Sequence, residues 1–202
     1  MSSDIKEHRL TTPLSEADVR AMRAGEAVYL TGTIWGIRDA TYIHLFDRKN
    51  KAPVDLSGAV LLHVAPNVRK LPDGTYEPMT VGTTTSMRMD RFTEPSLREY
   101  GVRAIVGKGG LSEESSQALK QYGGVYLAIV GGAASVETEH VEAIENVYFE
   151  ELMPECLWQF RVKDFGPLTV AMDATGASMY RDVAATAQER LASIYQKLGI
   201  AP

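Results

Sequence analysis

The sequence predicts one α/β domain in which helices flank a mixed β-sheet. Three largely apolar runs, at residues 59–64, 102–106 and 125–130, are typical of strands that are buried on both faces. A glycine-rich loop and a helical segment separate the last two runs, which is the order of a βαβ unit with its crossover. The chain has 202 residues, of which 45% are hydrophobic, and this is enough for one sizeable domain.

The first elements follow from local signals. Residues 1–13 are predicted to be a flexible N-terminal lead-in, and residues 14–202 to form the single domain. Ser15 is expected to cap a short helix, because Asp18 stands at the third helical position. Residues 27–34 are rich in β-branched side chains and predict a strand. A helical or irregular stretch is expected from there to about residue 50.

The later elements are predicted in the same way. A turn at residues 72–74 separates two extended segments, and Ser112 caps a helix whose first turn is acidic. Residues 153–158 are expected to start a short helix, and residues 168–172 to form a late strand. Apolar side chains at helical spacing then predict a C-terminal amphipathic helix that packs on the sheet or lies at a dimer seam. These side chains are Val183, Ala187, Leu191, Ile194 and Leu198.

Composition excludes several classes of function. The net charge is -5, from 21 basic and 26 acidic residues, and such a chain is a poor general nucleic-acid binder. No apolar run approaches the ~20 residues that a membrane span needs, and the N-terminus has no apolar signal core. We therefore expect a cytoplasmic protein with no membrane contact. The single cysteine, Cys156, excludes an internal disulfide, and it also excludes an iron–sulfur cluster held by this chain alone.

The segment VGTTTSMRMD, residues 81–90, carries the strongest functional signal. It places four consecutive hydroxyls, residues 83–86, next to the guanidinium of Arg88. Arg38 follows one predicted strand, and Lys108 follows another in the glycine-rich loop. Hydroxyls and cations at strand ends suit a small carboxylate or dicarboxylate. The alternative is that each cation is a solvated surface charge and that the hydroxyls serve only a turn.

The remaining candidates are predicted to be structural. Cys156 is expected to be a small buried hydrophobic residue, since no base stands near it in the sequence. His44 and His63 are not paired with an acid, and the four histidines form no HxxxH or HExxH motif, so no metal site is predicted. The acidic stretch at residues 137–151 is expected to be a solvated face.

Six segments, in the same order along the chain, resemble the β subunit of L-tartrate dehydratase and the C-terminal domain of class I, iron–sulfur fumarases. The resemblance extends over most of the chain, from Leu10 to about Gly176, and together the segments are specific although each alone would be weak. The segments are VYLTGT (28–33) leading to RDA (38–40), VGTTTSMRMD (81–90), VGKGG (106–110), GGAA (131–134), MPECLW (153–158) and VKDFGPL (162–168).

The resemblance implies a swivelling β/β/α domain that works with a partner. In that family an α subunit holds a [4Fe-4S] cluster, and the β half closes over the cluster and binds the substrate carboxylates. It implies a hydro-lyase that reversibly dehydrates a 2-hydroxy dicarboxylate, tartrate or malate/fumarate, as a hetero-oligomer, with a homodimer as the form of the isolated chain. The implied substrate-binding residues are Arg38, Thr84, Thr85, Arg88 and Lys108, with a proton-transfer role for Thr84.

The chain departs from the family pattern at three places. Tyr42 stands where the family usually has histidine, Ala65 where it has glycine, and Thr83 where it has proline. A phenol does not carry protons near neutral pH as an imidazole does. The carboxylate anchors are intact, so the alternative function is a non-catalytic domain that binds a dicarboxylate or assembles with a partner.

Overall fold

The computed structural model describes residues 5–132 and 134–200, apart from the side chains of residues 134 and 135. Within them the strands are β1 Glu7–Thr11, β2 Ala27–Ile37, β3 Val60–His63, β4 Asn67–Lys70, β5 Tyr76–Thr80, β6 Ala104–Gly107, β7 Val125–Ala128, β8 Val141–Tyr148 and β9 Leu157–Met172. The α-helices are α1 Glu16–Ala21, α2 Asp39–Tyr42, α3 Thr93–Tyr100, α4 Glu113–Tyr122, α5 Ala134–Glu139 and α6 Met179–Leu198. A π-helical turn, Ile43–Asp47, continues α2, and 3-10 helices span Ser86–Phe92 and Glu150–Leu152.

Five of the strands close into a barrel-like ring. β2, β3, β6 and β7 run parallel to one another, and β9 is antiparallel to both β7 and β2, so the last strand returns to the first. β1 extends the sheet beside β2, and β8 extends it beside β9. The predicted mixed sheet with flanking helices is confirmed, but its closure was not predicted, because it depends on pairing between distant segments such as Ile34 and Phe160.

Two hydrophobic clusters cover the two faces of this ring. Alternate residues of β3 divide between them: Val60 and Leu62 belong to one cluster and Leu61 to the other. The first cluster draws on all five ring strands and fills the interior, whereas the second lies between the ring and helices α3 and α4. Burial on both faces explains why β3, β6 and β7 are largely apolar in the sequence.

Several local predictions are confirmed. The side chain of Ser15 accepts from Asp18 N–H and the Asp18 carboxylate accepts in return, which completes a capping box at the start of α1. The turn predicted at residues 72–74 connects the antiparallel strands β4 and β5. Ser112 caps α4, and the parallel pair β6 and β7 on either side of this helix forms the predicted βαβ unit.

Two predictions are wrong, and one helix was not predicted. The flexible lead-in contains β1, which pairs in parallel with β2 from Glu7 to Thr11; residues 1–4 of the lead-in lie outside the described residues. The short helix expected at residues 153–158 is replaced by turns and the start of β9, because Trp158 pairs with strands on both sides. Helix α3, which continues the 3-10 helix after Phe92, was not predicted.

The C-terminal helix forms as predicted but does not pack on the sheet. None of the side chains of α6 is buried, and Val183 is 68% exposed. Both faces of the ring are already covered, and the contacts of α6 with the rest of the described chain are made by its first turn: the ring of Tyr180 lies against Gly110 and near Tyr126. No helix among the described residues combines the length and the apolar character that a membrane span requires.

Candidate functional site

The predicted site residues lie where neighbouring parallel strands end. Arg38 follows β2 directly and Lys108 follows β6 directly. The hydroxyl segment, residues 83–86, runs between the ends of β3 and β6. Thr84 N–H donates to the carbonyl of the last residue of β3 over 2.8 Å, and Lys108 N–H donates to the Thr84 carbonyl over 3.4 Å. Side chains from three separate stretches therefore converge on one edge of the sheet.

An arginine cluster forms the centre of this edge, and we define it as Arg38, Asp39, Thr84, Arg88 and Glu155. Arg88 Nη2 donates to Asp39 Oδ2 over 2.9 Å and to Thr84 Oγ1 over 3.3 Å. Arg38 Nε donates to the same Asp39 oxygen over 3.1 Å and lies 3.2 Å from Glu155 Oε1. The structure thus brings Thr84 and Arg88 into direct contact and links Arg38 to Arg88 through the shared Asp39 oxygen.

The two guanidinium groups keep part of their hydrogen-bonding capacity. The Arg38 side chain is 26% exposed and the Arg88 side chain 48% exposed. Among the described residues, Arg38 donates only through Nε and Arg88 only through Nη2. The terminal nitrogens of Arg38 are therefore free to grip a carboxylate, and this paired geometry is the strong form of arginine–carboxylate recognition.

Lys108 and Thr85 belong to the same edge but do not join the arginine cluster. They are linked by a parallel backbone bridge, and Thr85 is exposed. The side chain of Lys108 passes over Gly131, where an added Cβ would lie 2.8 Å from Cδ and 3.4 Å from Nζ. Within the described residues Lys108 has no ion pair within 4.0 Å, so its ammonium remains available to an anion.

A buried hydrogen-bonded network contacts the hydroxyl segment from the interior of the protein, at Ser86. The Tyr126 hydroxyl donates to Ser86 Oγ over 3.0 Å, and Ser86 Oγ lies 2.9 Å from His63 Nδ1. His63 Nε2 lies 2.9 Å from the Tyr42 hydroxyl. The side chain of Tyr42, the departure from the family pattern, therefore contacts His63, and the tie of Tyr42 to the arginine cluster is a backbone hydrogen bond, from its N–H to the Arg38 carbonyl over 3.0 Å.

Burial keeps every member of this network uncharged. It lowers the pKa of His63 to about 3, against the opposing charge of Asp39, and it raises the pKa of Tyr42 and of Tyr126 above the usual range of tyrosine. His63 is thus a neutral structural residue, in agreement with the sequence. Gly107 makes the network possible, because a Cβ at that position would overlap Ser86 Oγ.

A buried carboxylate near the other end of the hydroxyl segment was not predicted. Glu137, on α5, is only 4% exposed, and neither of its oxygens has a well-formed hydrogen bond among the described residues. Burial raises the pKa of Glu137 to about 7, although the Thr83 N–H and the Lys108 charge favour the ionised form. The expectation that residues 137–151 form a solvated face is therefore wrong for Glu137.

Cys156 lies apart from this chemistry. It is completely buried, and burial raises the pKa of its thiol to about 11, which suits the predicted role of a small hydrophobic residue. The described residues include no group of three or more His, Cys, Asp or Glu side chains that could hold a metal ion. The candidate site in this part of the chain gathers arginine, lysine and hydroxyl side chains with the carboxylates of Asp39 and Glu155.

Sequence reasoning missed three acidic residues that shape the site. Asp39 could have been found, because it stands beside Arg38 and an adjacent carboxylate is a natural partner. Glu155 joins the cluster from the loop before β9, where its Oε2 also accepts from Ala40 N–H over 2.8 Å. Neither Glu155 nor Glu137 has a local signal, since each contact spans a large separation in the chain.

Comparison with known proteins identifies the family. Residues 1–183 match the family model of the fumarase C-terminus. The chain is 39% identical over 171 residues to the L(+)-tartrate dehydratase subunit beta of Escherichia coli K12, which covers 84% of this chain and 85% of that subunit. A Methanocaldococcus jannaschii protein assigned as an L(+)-tartrate dehydratase subunit beta is 38% identical over 183 residues, covering 88% of this chain and 93% of that protein.

A longer relative contains the same region as one of its parts. The chain is 37% identical over 195 residues to a Geobacillus stearothermophilus protein assigned as a class I fumarate hydratase. That match covers 95% of this chain but only 37% of the relative. The resemblance predicted from the motifs is confirmed, and the chain belongs to the fumarase C-terminus family.

Proposed function

We propose that this chain is the β subunit of an iron–sulfur-dependent hydro-lyase that reversibly dehydrates a 2-hydroxy dicarboxylate such as tartrate or malate. The observation that supports this most is the contact of Arg88 with both Asp39 and Thr84 at the strand ends. It joins cations for a carboxylate to a hydroxyl for proton transfer. The names of the relatives, tartrate dehydratase subunit beta and class I fumarate hydratase, supply the reaction.

The proposed partner is an α subunit that carries a [4Fe-4S] cluster. Cys156 is the only cysteine here and is buried, so the described part of this chain offers no ligand set for a cluster. When bound to the partner, the cluster would supply a Lewis acid to the departing hydroxyl group. This chain would swivel over it as a lid that carries the cations.

Arg38, Arg88 and Lys108 are proposed to bind the substrate carboxylates. The free terminal nitrogens of Arg38 suit one carboxylate in a paired geometry, and Lys108 provides a compact charge. Negative charge builds on the carboxylate next to the broken C–H bond, and positioned cations stabilise such charge strongly once water is excluded. Asp39 holds both guanidinium groups in place for this task.

Thr84 is the proposed proton-transfer residue, and Arg88 is the group that assists it. A threonine hydroxyl is a weak base, so the loss of its own proton must be stabilised. Arg88 Nη2 already donates to Thr84 Oγ1 over 3.3 Å and would stabilise negative charge on that oxygen. In dehydration the Thr84 hydroxyl would first lose its own proton to solvent, and the resulting alkoxide would take the proton from the carbon; in hydration the hydroxyl would give that proton to the carbon and regain one from solvent.

Co-expression tests the proposal. The chain, produced without oxygen together with a cysteine-bearing α partner from a neighbouring reading frame, should yield a lyase active on tartrate, malate or fumarate. Replacing Arg88 with Ala should lower kcat/KM by about 10²–10³-fold. Arg91→Ala is the matched control, because Arg91 is exposed and pairs with Asp47 instead. Unchanged turnover in the Arg88 variant would contradict the site assignment.

Thr84→Val probes the proton-transfer step more directly. The substitution keeps the shape of the side chain and removes its oxygen, so kcat should fall by about 10²–10⁴-fold. Thr84→Ser retains a hydroxyl and should keep most of the activity. Equal losses in the valine and serine variants would assign Thr84 a packing role only.

The same preparations separate catalysis from the alternative function. A complex that assembles stably and shows no turnover, while calorimetry detects dicarboxylate binding to it, would identify a non-catalytic binding domain. Assembly with neither binding nor turnover would identify an assembly domain.

A further inference from the structure

A small cavity lies at the edge of the sheet that carries the candidate site. β7 ends at Ala128, and the two residues that follow it, Ile129 and Val130, line this cavity. Ile129 N–H donates to the carbonyl of Gly107 over 3.0 Å, and Lys108 directly follows Gly107 in the chain. The cavity therefore lies beside the strand end that carries Lys108, on the same edge as the arginine cluster.

The most deeply buried residue on the wall of this cavity is Glu137, which is only 4% exposed. Among the described residues, neither of its oxygens has a hydrogen-bond partner, and the nearby Thr83 N–H lies outside hydrogen-bonding geometry. An unpartnered carboxyl group is costly to bury, and most buried polar groups in native proteins do have a partner. A ligand that supplies hydrogen-bond donors and positive charge in the cavity would remove this cost.

The rest of the cavity suits an aliphatic chain. Its volume is about 180 Å³, which is too small for a drug-sized ligand but large enough for one side chain. Apart from Glu137 and His140 the lining is apolar, and it consists of Ile129, Val130, Val136, Gly166 and Pro167. Val130 is 75% exposed and Val136 is 53% exposed, so apolar surface surrounds the entrance to a buried acid.

His140 adds a second acceptor to the lining. Its Nδ1 lies 3.1 Å from the Lys163 carbonyl, and only a ring N–H can donate to that oxygen. In the neutral ring Nε2 is then left as an acceptor. The polar side chains of the cavity wall are thus a carboxyl and an imidazole, a pair that favours a cationic donor over an anion.

We propose that this cavity receives a lysine or arginine side chain of the α subunit, with its aliphatic stem between the apolar walls and its charge on Glu137. Basic side chains bury their methylene groups against apolar surface in this way while the charged end pairs with a carboxylate. The inference rests on the proposed function, since it needs that partner. An α subunit that brings its cluster to Lys108 and the arginine cluster also reaches the entrance of the cavity beside them.

The affinity of the chain for the α subunit, measured without oxygen by biolayer interferometry, tests this. Glu137→Gln keeps the shape and removes the charge, so the Kd should rise about 30-fold or more. Glu139→Gln, on the exposed side of the same helix, is the control and should bind as wild type does. An unchanged Kd for Glu137→Gln in an active complex would overturn the inference and leave the proposed function standing.

The stability of the free chain separates pairing from packing. Without the partner an ionised Glu137 is a cost, so the isolated Glu137→Gln chain should resist urea at pH 8 as well as wild type or better. Weaker assembly together with an equally or more stable free chain is the pattern of a carboxylate that waits for a cation. Loss of both assembly and stability would assign Glu137 a packing role and overturn the inference.

A double-mutant cycle identifies the side chain that enters the cavity. Each lysine and arginine on the surface of the α subunit is replaced by Met in turn. One replacement should weaken assembly about as much as Glu137→Gln does, and the two changes together should weaken it little further. Full additivity of every replacement with Glu137→Gln would overturn the inference.

A probe of the full chain alone does not need the partner. n-Butylammonium has the chemistry of a lysine side chain, and it should shift the methyl NMR signals of Val130 and Val136. The uncharged n-butanol should shift them less, and Glu137→Gln should lose the difference. Equal shifts with both probes in wild type would overturn the role of the carboxylate.

Failure of the proposed function gives a different result. A complex that assembles through Glu137 but shows no turnover would support the inference and count against the proposed reaction. A wild-type chain that assembles with no α subunit would overturn both.

Discussion

His63 and Glu137 lie near opposite ends of the hydroxyl segment, and both are almost completely buried, at 1% and 4% exposure. Both ring nitrogens of His63 have hydrogen-bond partners, whereas neither oxygen of Glu137 has one among the described residues. Burial pushes each group toward its neutral form. The two groups differ in what stabilises the neutral form. The neutral imidazole of His63 is hydrogen-bonded on both nitrogens, whereas the carboxyl of Glu137 has a pKa of about 7 and ionises near neutral pH.

This comparison explains the division of the site into two ends. The end at Ser86 is a rigid, uncharged support for the backbone that carries Thr84. The end at Thr83 is close to a residue that changes charge near neutral pH, at about 7. Fully satisfied buried polar groups add rigidity, and unsatisfied ones are where a structure responds to conditions.

Removing the support should have the largest effect on stability. His63→Ala leaves a cavity and deprives both Ser86 and Tyr42 of a hydrogen bond, so we expect a loss of about 3 kcal/mol or more in the free energy of unfolding. Urea denaturation at pH 7.5 measures it. His44→Ala is the control: the Nδ1 of His44 has no hydrogen-bond partner among the described residues, and a loss of about 1 kcal/mol is expected. Equal losses of unfolding free energy in the two variants would contradict a stabilising role for the network around His63.

The free energy of unfolding should depend on pH through Glu137, at the Thr83 end of the site. The pKa of Glu137 is raised on folding, so the folded state binds more protons and stability falls as pH rises between about 4.5 and 7. Relative to wild type, Glu137→Gln should gain about 2–3 kcal/mol between pH 4.5 and pH 8 in urea unfolding. Glu139→Gln should show no such trend. His63 titrates in both proteins and cancels in the difference.

A smaller effect on stability is expected at Gly107, which lies against Ser86. Gly107→Ala drives a methyl group into Ser86 Oγ and should cost about 1–3 kcal/mol. Ser86→Ala removes that oxygen, so the double variant should be more stable than the sum of the two single losses predicts. Thermal unfolding of the four proteins completes the cycle. Strict additivity would mean that the methyl group is accommodated elsewhere.

Local signals predicted most of the fold. The apolar run that contains Val60–His63, the Ser15 cap and the turn at residues 72–74 all depend on neighbours within a few residues. The prediction of a helix at the start of β9 failed because residues there pair with β2 and β8. These distant partners overrode a helical pattern after Pro154. The prediction of a flexible lead-in failed for the same reason, since β1 pairs with β2.

The site divides in a similar way. Arg38, Thr84 and Arg88 were predicted to converge because strand ends meet at one edge, and the structure brings them together. The carboxylates around these residues could not be predicted from the sequence. Glu155 is 115 positions from Ala40, whose N–H it accepts, and no pattern in either segment signals that pairing.

The closure of the ring also sets an order for synthesis. β9 reaches β2 through pairs such as Gly36 with Trp158 and Ala27 with Thr169, which are far apart along the chain. During translation β2 leaves the ribosome long before its closing partner exists, and one of its edges must wait unpaired. Non-local pairing of this kind slows folding and leaves a strand edge exposed to aggregation. A nascent chain that stalls before residue 157 would lack the strand that covers that edge.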